Sequence, residues 1–524
     1  MDDVLSSAPA VILLISIWKI FGQFFIRSPL DNIPGPPRGE FLYVLHKSIG
    51  WGFIQNLTES YPGIAKLHGP LGHRMLYVWD PAALHHIVVK DQYIYEEAAW
   101  FNLLRFGPGL LATLGDTHRR QRKLLNPTAI GRRVGASPGG VPVELDVLAW
   151  MGRTALELIG QAGLGHSFDP LTADTPDEFA TIVKSFGPSL VLMNHLRRVL
   201  PYIPSIGPPA FQAKVVELFP HRGIQGVKRF IDRLHDESLK IYRGKIAAME
   251  KGNEEVLKQV GEGKDVMSIL IRANMEASEE DRLPEEEVIA QISTFIFAAM
   301  DTTSNALALT LQELGDHPEA QDRVRAEILA ALDGRETLEH DELVALPFLD
   351  AVCRETLRLH APVTQVFRET RQDVVLPLSQ PIRGVDGALV REIAVPRDTT
   401  VAIGILSANR NKAVWGEDAE AWRPERWLQP LPATVQDAKV PGIYSNLMTF
   451  LGGGRACIGF KFSQLEMKCV LCLLLAKFTF AWSDKPVTWN LSNVRFPTVG
   501  NNPKPSMPMM VGLYQPAPAP TVSA

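Results

Sequence analysis

The chain has 524 residues, 46% of them apolar and 21% charged, with a formal net charge of −5. These proportions match a globular average and exclude a wholly disordered chain. Basic residues are scattered, with no long basic run, so the charge pattern gives no reason to expect nucleic acid. The four cysteines, Cys353, Cys457, Cys469 and Cys472, are too few and too closely spaced for a secreted chain of this size held by disulfides.

From Ala8 to Ile26 the chain is almost entirely apolar, interrupted by Lys19 and Gln23. That length approaches the ~20 residues of a bilayer-spanning helix. Asp2 and Asp3 precede it, and Arg27 and Arg38 follow, a polarity that would leave the main domain in the cytosol. A cleaved signal peptide would start basic and end on small residues, whereas this stretch ends Phe24-Phe25-Ile26-Arg27. Residues 1–27 are therefore expected to be a membrane anchor. Residues 28–41, with Ile33-Pro34-Gly35-Pro36-Pro37, are expected to be a stiff, extended hinge, because proline fixes φ and removes donors.

Beyond the hinge, Met75–Trp79 reads as a strand and Pro81–Val89 as a helix opened by proline. Between Val143 and Val366 the pattern is mostly helical, over Val147–Leu164, Phe179–His195, Lys228–Lys251, Glu285–Leu314, Pro318–Leu332 and Leu346–Leu359. From Gln372 to Ile405 strands and turns dominate, punctuated by Gly384, Gly387 and Pro396. Cys457–Phe478 reads as a helix again. Within it Cys469 and Cys472 read as core residues, since a zinc or redox centre lacks a second ligand pair. The tail, 516–524, is Pro/Ala-rich and expected to fray. The whole predicts one large, mainly α domain with small β-sheets over 42–515.

Five segments carry chemistry. In Phe450-Leu451-Gly452-Gly453-Gly454-Arg455-Ala456-Cys457-Ile458-Gly459 the glycines are expected to let backbone approach a flat ligand. Cys457 reads as the first residue of an apolar helix, where the helix dipole and Arg455 would favour a thiolate. Taken alone, the segment could instead be a glycine loop leading an inert cysteine into the core. Glu355 and Arg358 stand three apart on one helix face, by itself the mark of a solvated pair. Pro424-Glu425-Arg426-Trp427 follows further on. Ala298-Ala299-Met300-Asp301-Thr302-Thr303 sets an acid and two threonines inside an apolar helix, where they are poor helix formers and a threonine can bond the i−4 carbonyl. Finally, His118 and Arg122 share a face within the basic run Gly115–Lys123.

Together these segments resemble the cytochrome P-450 family, in its eukaryotic microsomal form and with a fungal look, over about Pro34 to Gln515. Phe450, Gly453, Arg455, Cys457 and Gly459 match its F-x-x-G-x-R-x-C-x-G haem loop, and Glu355 and Arg358 match its E-x-x-R helix. The resemblance implies the P-450 fold, with haem b ligated axially by Cys457. It makes Glu355, Arg358 and Arg426 a buried structural triad. Asp301 and Thr302 become an acid–alcohol pair delivering protons to dioxygen, and His118, Arg122 and Arg368 become contacts of the haem propionates. It also implies a monooxygenase that takes electrons from NADPH through NADPH–cytochrome P-450 reductase. Such an enzyme would sit on the endoplasmic reticulum membrane by a single span and oxidise a lipophilic small molecule. Candidate pocket linings are Trp100–Leu114, Phe186–Leu192, Phe295–Met300 and Ala361–Phe367.

Ala299 replaces the family's usual glycine, and His118 its usual tryptophan. The larger departure is Asn126–Pro142, where three prolines and four glycines stand in place of a long amphipathic helix. An internal deletion or a mis-joined gene model is the expected explanation, and two alternatives stand beside the monooxygenase: an inactive truncated haem-thiolate protein, or a reductase-independent enzyme that rearranges peroxides.

Overall fold

The structure is a computed structural model and describes residues 27–37, 49–69, 72–97, 142–168, 179, 182, 186, 189, 209–252, 263–491 and 494–515. Its helices of ten residues or more are α1 (Ile49–Ser60), α2 (Val147–Leu158), α3 (Pro209–Leu218), α4 (Arg222–Lys251), α5 (Val266–Glu276), α6 (Glu285–Asp316), α7 (Pro318–Leu332), α8 (Pro347–Leu359) and α9 (Phe460–Leu475). The strands are short: β1 (Ile64–His68), β2 (Arg74–Val78), β3 (Tyr95–Glu96), β4 (Val143–Asp146), β5 (Gln365–Thr370), β6 (Val374–Arg383), β7 (Leu389–Val395), β8 (Thr400–Gly404), β9 (Phe478–Trp482), β10 (Val487–Asn490), β11 (Phe496–Val499) and β12 (Pro508–Leu513). Among the described residues this is the mainly α architecture with small sheets that the sequence predicts.

The largest sheet has the order β1-β2-β8-β5-β3. Its β2–β8 pair is parallel, with Met75 opposite Thr400, while β5 runs antiparallel to β8 with Arg368 opposite Val401. The other sheets are β4-β12-β9, β10-β11 and the β6-β7 hairpin.

Helix α6 is the spine. Its 32 residues extend about 48 Å at 1.5 Å per residue. Glu285, Glu286 and Glu287 occupy its first turn, where negative charge suits the helix dipole. It stops at Asp316 because Pro318 cannot continue it and instead opens α7. One half of α6 packs into a cluster with Leu156, Phe186, Phe230, Ile292, Ile296 and Met300; the other, from Ala306 to Leu314, joins the main core.

Several boundaries differ from expectation. Val147–Leu164 is α-helical only to Leu158, then widens to a π-turn that Gly165 ends at φ 56°. Pro81–Val89 is likewise an α-turn to His85, followed by a wide turn over His86–Lys90. The hinge is not extended throughout: Pro29–Asn32 forms a short helical turn capped by Ser28, whose backbone N–H donates to Asp31. The helix expected from Cys457 starts three residues later, at Phe460, and Phe478 begins β9 instead of ending it. Of Phe179–His195, the described residues Phe179, Ile182, Phe186 and Ser189 are helical. The expected anchor up to Ile26, His118, Arg122, residues 126–141 and the tail 516–524 lie outside the described residues. No helix among the described residues is long and apolar enough to cross a membrane.

Candidate active site

The loop before α9 is shaped by backbone closure. A turn over Met448–Phe450 ends at Leu451, held at φ 56°. The Leu451 carbonyl accepts from Ile443 N–H at 2.9 Å, and the Phe450 carbonyl accepts from Cys457 N–H at 2.8 Å. Cys457 thus lies in the loop, two residues before the α9 N-cap Gly459, with its side chain exposed. The expected place in the first helical turn is corrected: Gly459 and the tight turn before it delay the helix.

The glycines of the loop also meet the chain's own backbone. A Cβ on Gly452 would fall 1.8 Å from the Pro441 carbonyl oxygen, and one on Gly453 would fall 1.7 Å from the Val88 carbonyl oxygen. Gly453 also has φ 65°, a region that L side chains avoid. Gly454 N–H donates to Gln92 Oε1 at 2.6 Å. These three glycines seat the loop on the chain's own backbone. Gly459 has nothing within 4 Å of its Cβ position and is the one open to a ligand.

Facing this loop is the middle of α6. Ile458, beside the candidate ligand, packs against the cluster holding Ile296 and Met300. Ala298 is exposed, and Phe295, Ala299, Asp301 and Thr302 are partly so, between buried flanks of the same helix. Spacings of three and four put Phe295, Ala298, Ala299 and Thr302 on one face. Thr302 Oγ1 donates to the Ala298 carbonyl at 2.7 Å, the i−4 bond the sequence suggests, and this leaves its lone pairs free to accept.

A cationic corner completes the site. Arg368, on β5, is buried and donates to the Phe367 carbonyl at 2.8 Å; Glu97 stands 3.4 Å away. Its Nη2 is buried with no hydrogen-bond partner. Burial pulls the Arg368 pKa down, Glu97 opposes this, and Arg455 adds to it, so the two guanidiniums sit within electrostatic reach of one another. A buried, unpaired guanidinium nitrogen near a second arginine suits an anionic ligand group. The exposed thiol, the uncovered helix face and this corner fit a flat, iron-bearing, doubly acidic ring such as haem.

The family model for cytochrome P450 matches residues 32–507. The chain belongs to the cytochrome P450 family. Similar proteins include cytochrome P450 monooxygenase 91 of Postia placenta, 51% identical and covering 98% of this chain and 99% of the relative. Cytochrome P450 monooxygenase 81 of the same fungus is 49% identical, covering 98% and 97%. A ganoderic acid synthetase of Ganoderma lucidum is 43% identical, covering 94% and 96%. Membership makes this P450 a monooxygenase, an oxidoreductase that incorporates oxygen, and implies haem with thiolate-ligated iron, a redox partner and a small-molecule substrate.

Behind the loop of this P450 lies a buried ionic network. Glu355 and Arg358 form a two-pronged pair at 2.8 and 2.9 Å, and Arg426 Nε reaches the same carboxylate at 3.4 Å. All three side chains are buried. Arg358 also donates to the carbonyls of Asn409, Ala419 and Ala421. Arg423 N–H and Trp427 Nε1 donate to Glu355 at 3.0 and 2.9 Å. The loop hangs from this network: Asn409 Oδ1 accepts from Met448 N–H at 2.8 Å, and Thr449 Oγ1 donates to the Leu357 carbonyl at 2.8 Å.

Cys469 is partly buried and Cys472 buried; burial lifts their thiols to about 12 and about 11, values of unreactive core residues. Of the expected pocket linings, Phe186 and Phe297 are brought together edge to face, with Phe230 tilted against Phe186 at 35°. Trp100–Leu114 lies outside the described residues. Sequence reasoning missed Gln92, Glu97 and Glu466. Each acts through partners far away in the chain, and no local pattern marks them.

Proposed function

We propose that this P450 inserts one atom of dioxygen into a lipophilic small molecule at a haem b held by Cys457. The second oxygen atom leaves as water, with two protons and with two electrons supplied by NADPH through NADPH–cytochrome P-450 reductase. The observation that carries the reading is the pairing of an exposed Cys457, in a loop fixed by backbone contacts, with the uncovered Ala298–Thr302 face of α6. The bound haem supplies the electron transfer and oxygen activation.

The chain's own residues do the rest. Cys457 would ligate the haem iron through its thiolate. Arg368 and Arg455 would hold the propionates, with His118 and Arg122 as further contacts expected from the sequence. Phe450, Gly453 and Gly459 shape the loop, and Glu355, Arg358 and Arg426 fix it from behind. Thr302 accepts a hydrogen bond from the bound reactant while its own hydrogen stays on the Ala298 carbonyl, and Asp301, partly exposed, exchanges protons with solvent. Ile296, Met300 and Phe297 keep bulk water from the reacting centre. Residues 1–27 anchor the protein to the endoplasmic reticulum membrane, with 28–41 as the connecting segment. A relative named for ganoderic acid supports a small organic substrate.

A reduced-minus-reduced-CO difference spectrum of the purified protein tests the reading, since a red-shifted Soret band needs haem and thiolate together. Cys457→Ala should lose that band and all product; Cys469→Ala should keep both. The reverse pattern would refute Cys457 as the ligand.

The inactive-protein alternative also has an observation in its favour. The alignment with the 51% relative runs over 540 positions, more than the 524 residues of this chain, so the relative has residues that this chain lacks. The same spectrum decides between the two readings.

A further inference from the structure

Strand β3 is only two residues long, yet it ends beside the cationic corner of the site. It pairs antiparallel with β5, Tyr95 opposite Thr370 and Glu96 opposite Glu369. Carried on by one residue, that register sets Glu97 across from Arg368, where opposite charges on neighbouring strands attract. Arg371 fixes this segment. Its backbone N–H donates to the Ile94 carbonyl at 2.9 Å, and its guanidinium donates to Glu96 at 3.1 Å and to Glu369 at 3.0 Å. Arg371 thus engages Glu96 and Glu369, whereas Glu97 Oε1 turns to Arg368 Nη1, at 3.4 Å. At the other end of the same stretch, Gln92 accepts from Gly454 N–H of the Cys457 loop.

Arg368 and Arg358 put a buried guanidinium to opposite uses. Every nitrogen of Arg358 is committed, to Glu355 and to three backbone carbonyls. Arg368 is 3% exposed, with Nη1 held by the Phe367 carbonyl and Glu97 while Nη2 stays bare. A buried guanidinium with no anion near it is strongly unfavourable, and Glu97 offsets that cost. It does so from the Nη1 side, so it balances the charge without covering Nη2. The same carboxylate acts on Arg455. Burial pulls the Arg455 pKa down, and Glu97 is the foremost charge opposing this, ahead of Glu96 and Tyr93.

We propose that Glu97 is a positioning residue that holds Arg368 and Arg455 toward the two carboxylate groups of the haem and adds its own negative charge to the field at the iron. The inference rests on the reading of a haem held by Cys457. Glu97 acts through the two arginines and touches neither iron nor substrate. Without its carboxylate Arg368 is no longer fixed in advance, and the haem loses a contact that costs nothing to organise when it binds. Removing a fixed anion near the haem also favours the reduced iron, which carries one more electron, so the midpoint potential rises.

The test uses the full-length holoenzyme and the variants Glu97→Gln, Glu97→Asp and Arg368→Gln. It measures the rate of haem transfer to apomyoglobin and the midpoint potential of the iron, beside the CO difference spectrum. Glu97→Gln should keep the red-shifted CO band when freshly loaded, lose haem several-fold faster than the parent and have a higher potential. Glu97→Asp keeps the charge on a shorter arm, so it should hold the parent's potential and lose haem at an intermediate rate; it carries the test if Glu97→Gln folds poorly. Adding Glu97→Gln to Arg368→Gln should speed haem loss by less than it does in the parent, because the two residues share one function. Full additivity would overturn the proposal. So would haem loss that is unchanged or slower in both Glu97 variants, the slower rate showing that Glu97 competes with the haem carboxylates. Faster loss with an unmoved potential in Glu97→Gln would also overturn it, since a general weakening of the fold gives that pattern. A parent without the red-shifted CO band refutes the haem reading and the proposal together, whereas a parent with the band and no response in the Glu97 variants refutes the proposal alone.

Discussion

Glu355 and Glu466 are both buried glutamates on helices that flank the Cys457 loop, and they could hardly be treated more differently. Glu355 receives two arginines, one indole N–H and one backbone N–H. Glu466 receives no completed hydrogen bond. Burial alone therefore does not set a carboxyl's role. Donor supply does: a fully supplied acid stays charged and rigidifies, while an unsupplied one keeps its proton. Glu313, near the end of α6, lies between these extremes. Arg495 Nη1 stands 3.3 Å from His360 Nδ1, and arginine can only donate, so Nδ1 accepts and the ring hydrogen is on Nε2. That hydrogen is donated to Glu313 Oε1 at 2.5 Å. Burial raises the Glu313 pKa to about 7 against the pull of His317, whose Nδ1 stands 3.7 Å from Oε2, and of Arg410 and Arg495, while Asp316 adds to the rise.

The comparison is broken most severely at Glu355. Glu355→Ala leaves Arg358 buried without its anion and Arg426 with Asp418 alone, at 3.1 Å, a defect of roughly 3–5 kcal/mol. We expect little folded protein and loss of haem, read by denaturant melts and haem content. A stable, haem-loaded variant would show that the donors, not the acid, hold the network.

Glu313 gives a pH-dependent test. Its ordinary value is 4.5 and its folded value about 7. Between them the unfolded chain has lost this proton and the folded chain keeps it. The contribution of Glu313 is therefore complete below about pH 4.5 and falls as pH rises through the window, by up to about 3 kcal/mol. Glu313→Gln should remove that slope, so its stability relative to the parent should rise from pH 4.5 to 7. A difference that is flat across this range would mean that His360 and the arginines already hold Glu313 ionised.

The smallest effect is expected at Trp427. Trp427→Phe keeps the ring and removes one of the four donor groups on Glu355, a loss of about 1.5–3 kcal/mol for a bond to a charged acceptor. The CO spectrum should be unchanged while the melting temperature falls. A loss as large as that of Glu355→Ala would show that the network fails as a unit.

What could be read from the sequence was local. The loop Phe450–Gly459, the Glu355–Arg358 spacing and the apolar helix around Asp301 and Thr302 are short patterns whose residues act together in the fold. The start of α9 was misjudged because apolar residues run on past Cys457, while the tight loop closure through the Phe450 carbonyl is invisible in a pattern. The same limit hides the difference between the two glutamates. Glu355 announces itself by Arg358 one turn on, but its third charged partner is Arg426. Nothing in the run Gln464-Leu465-Glu466-Met467 signals an acid without donors, because its setting is completed by Thr303, on another helix.

The seating of the loop has a consequence for reading libraries of single substitutions. Gly452 and Gly453 admit no side chain, since any Cβ would lie inside the contact distance of a backbone oxygen. Every replacement at these two positions should vanish from a selected population as completely as replacements of Cys457. Depletion there would report how tightly the chain is pressed against itself, and would be silent about chemistry. Gly459, with open space where a Cβ would be, is where the population can speak about the ligand: whatever is lost at that position must be lost to something other than the protein's own backbone.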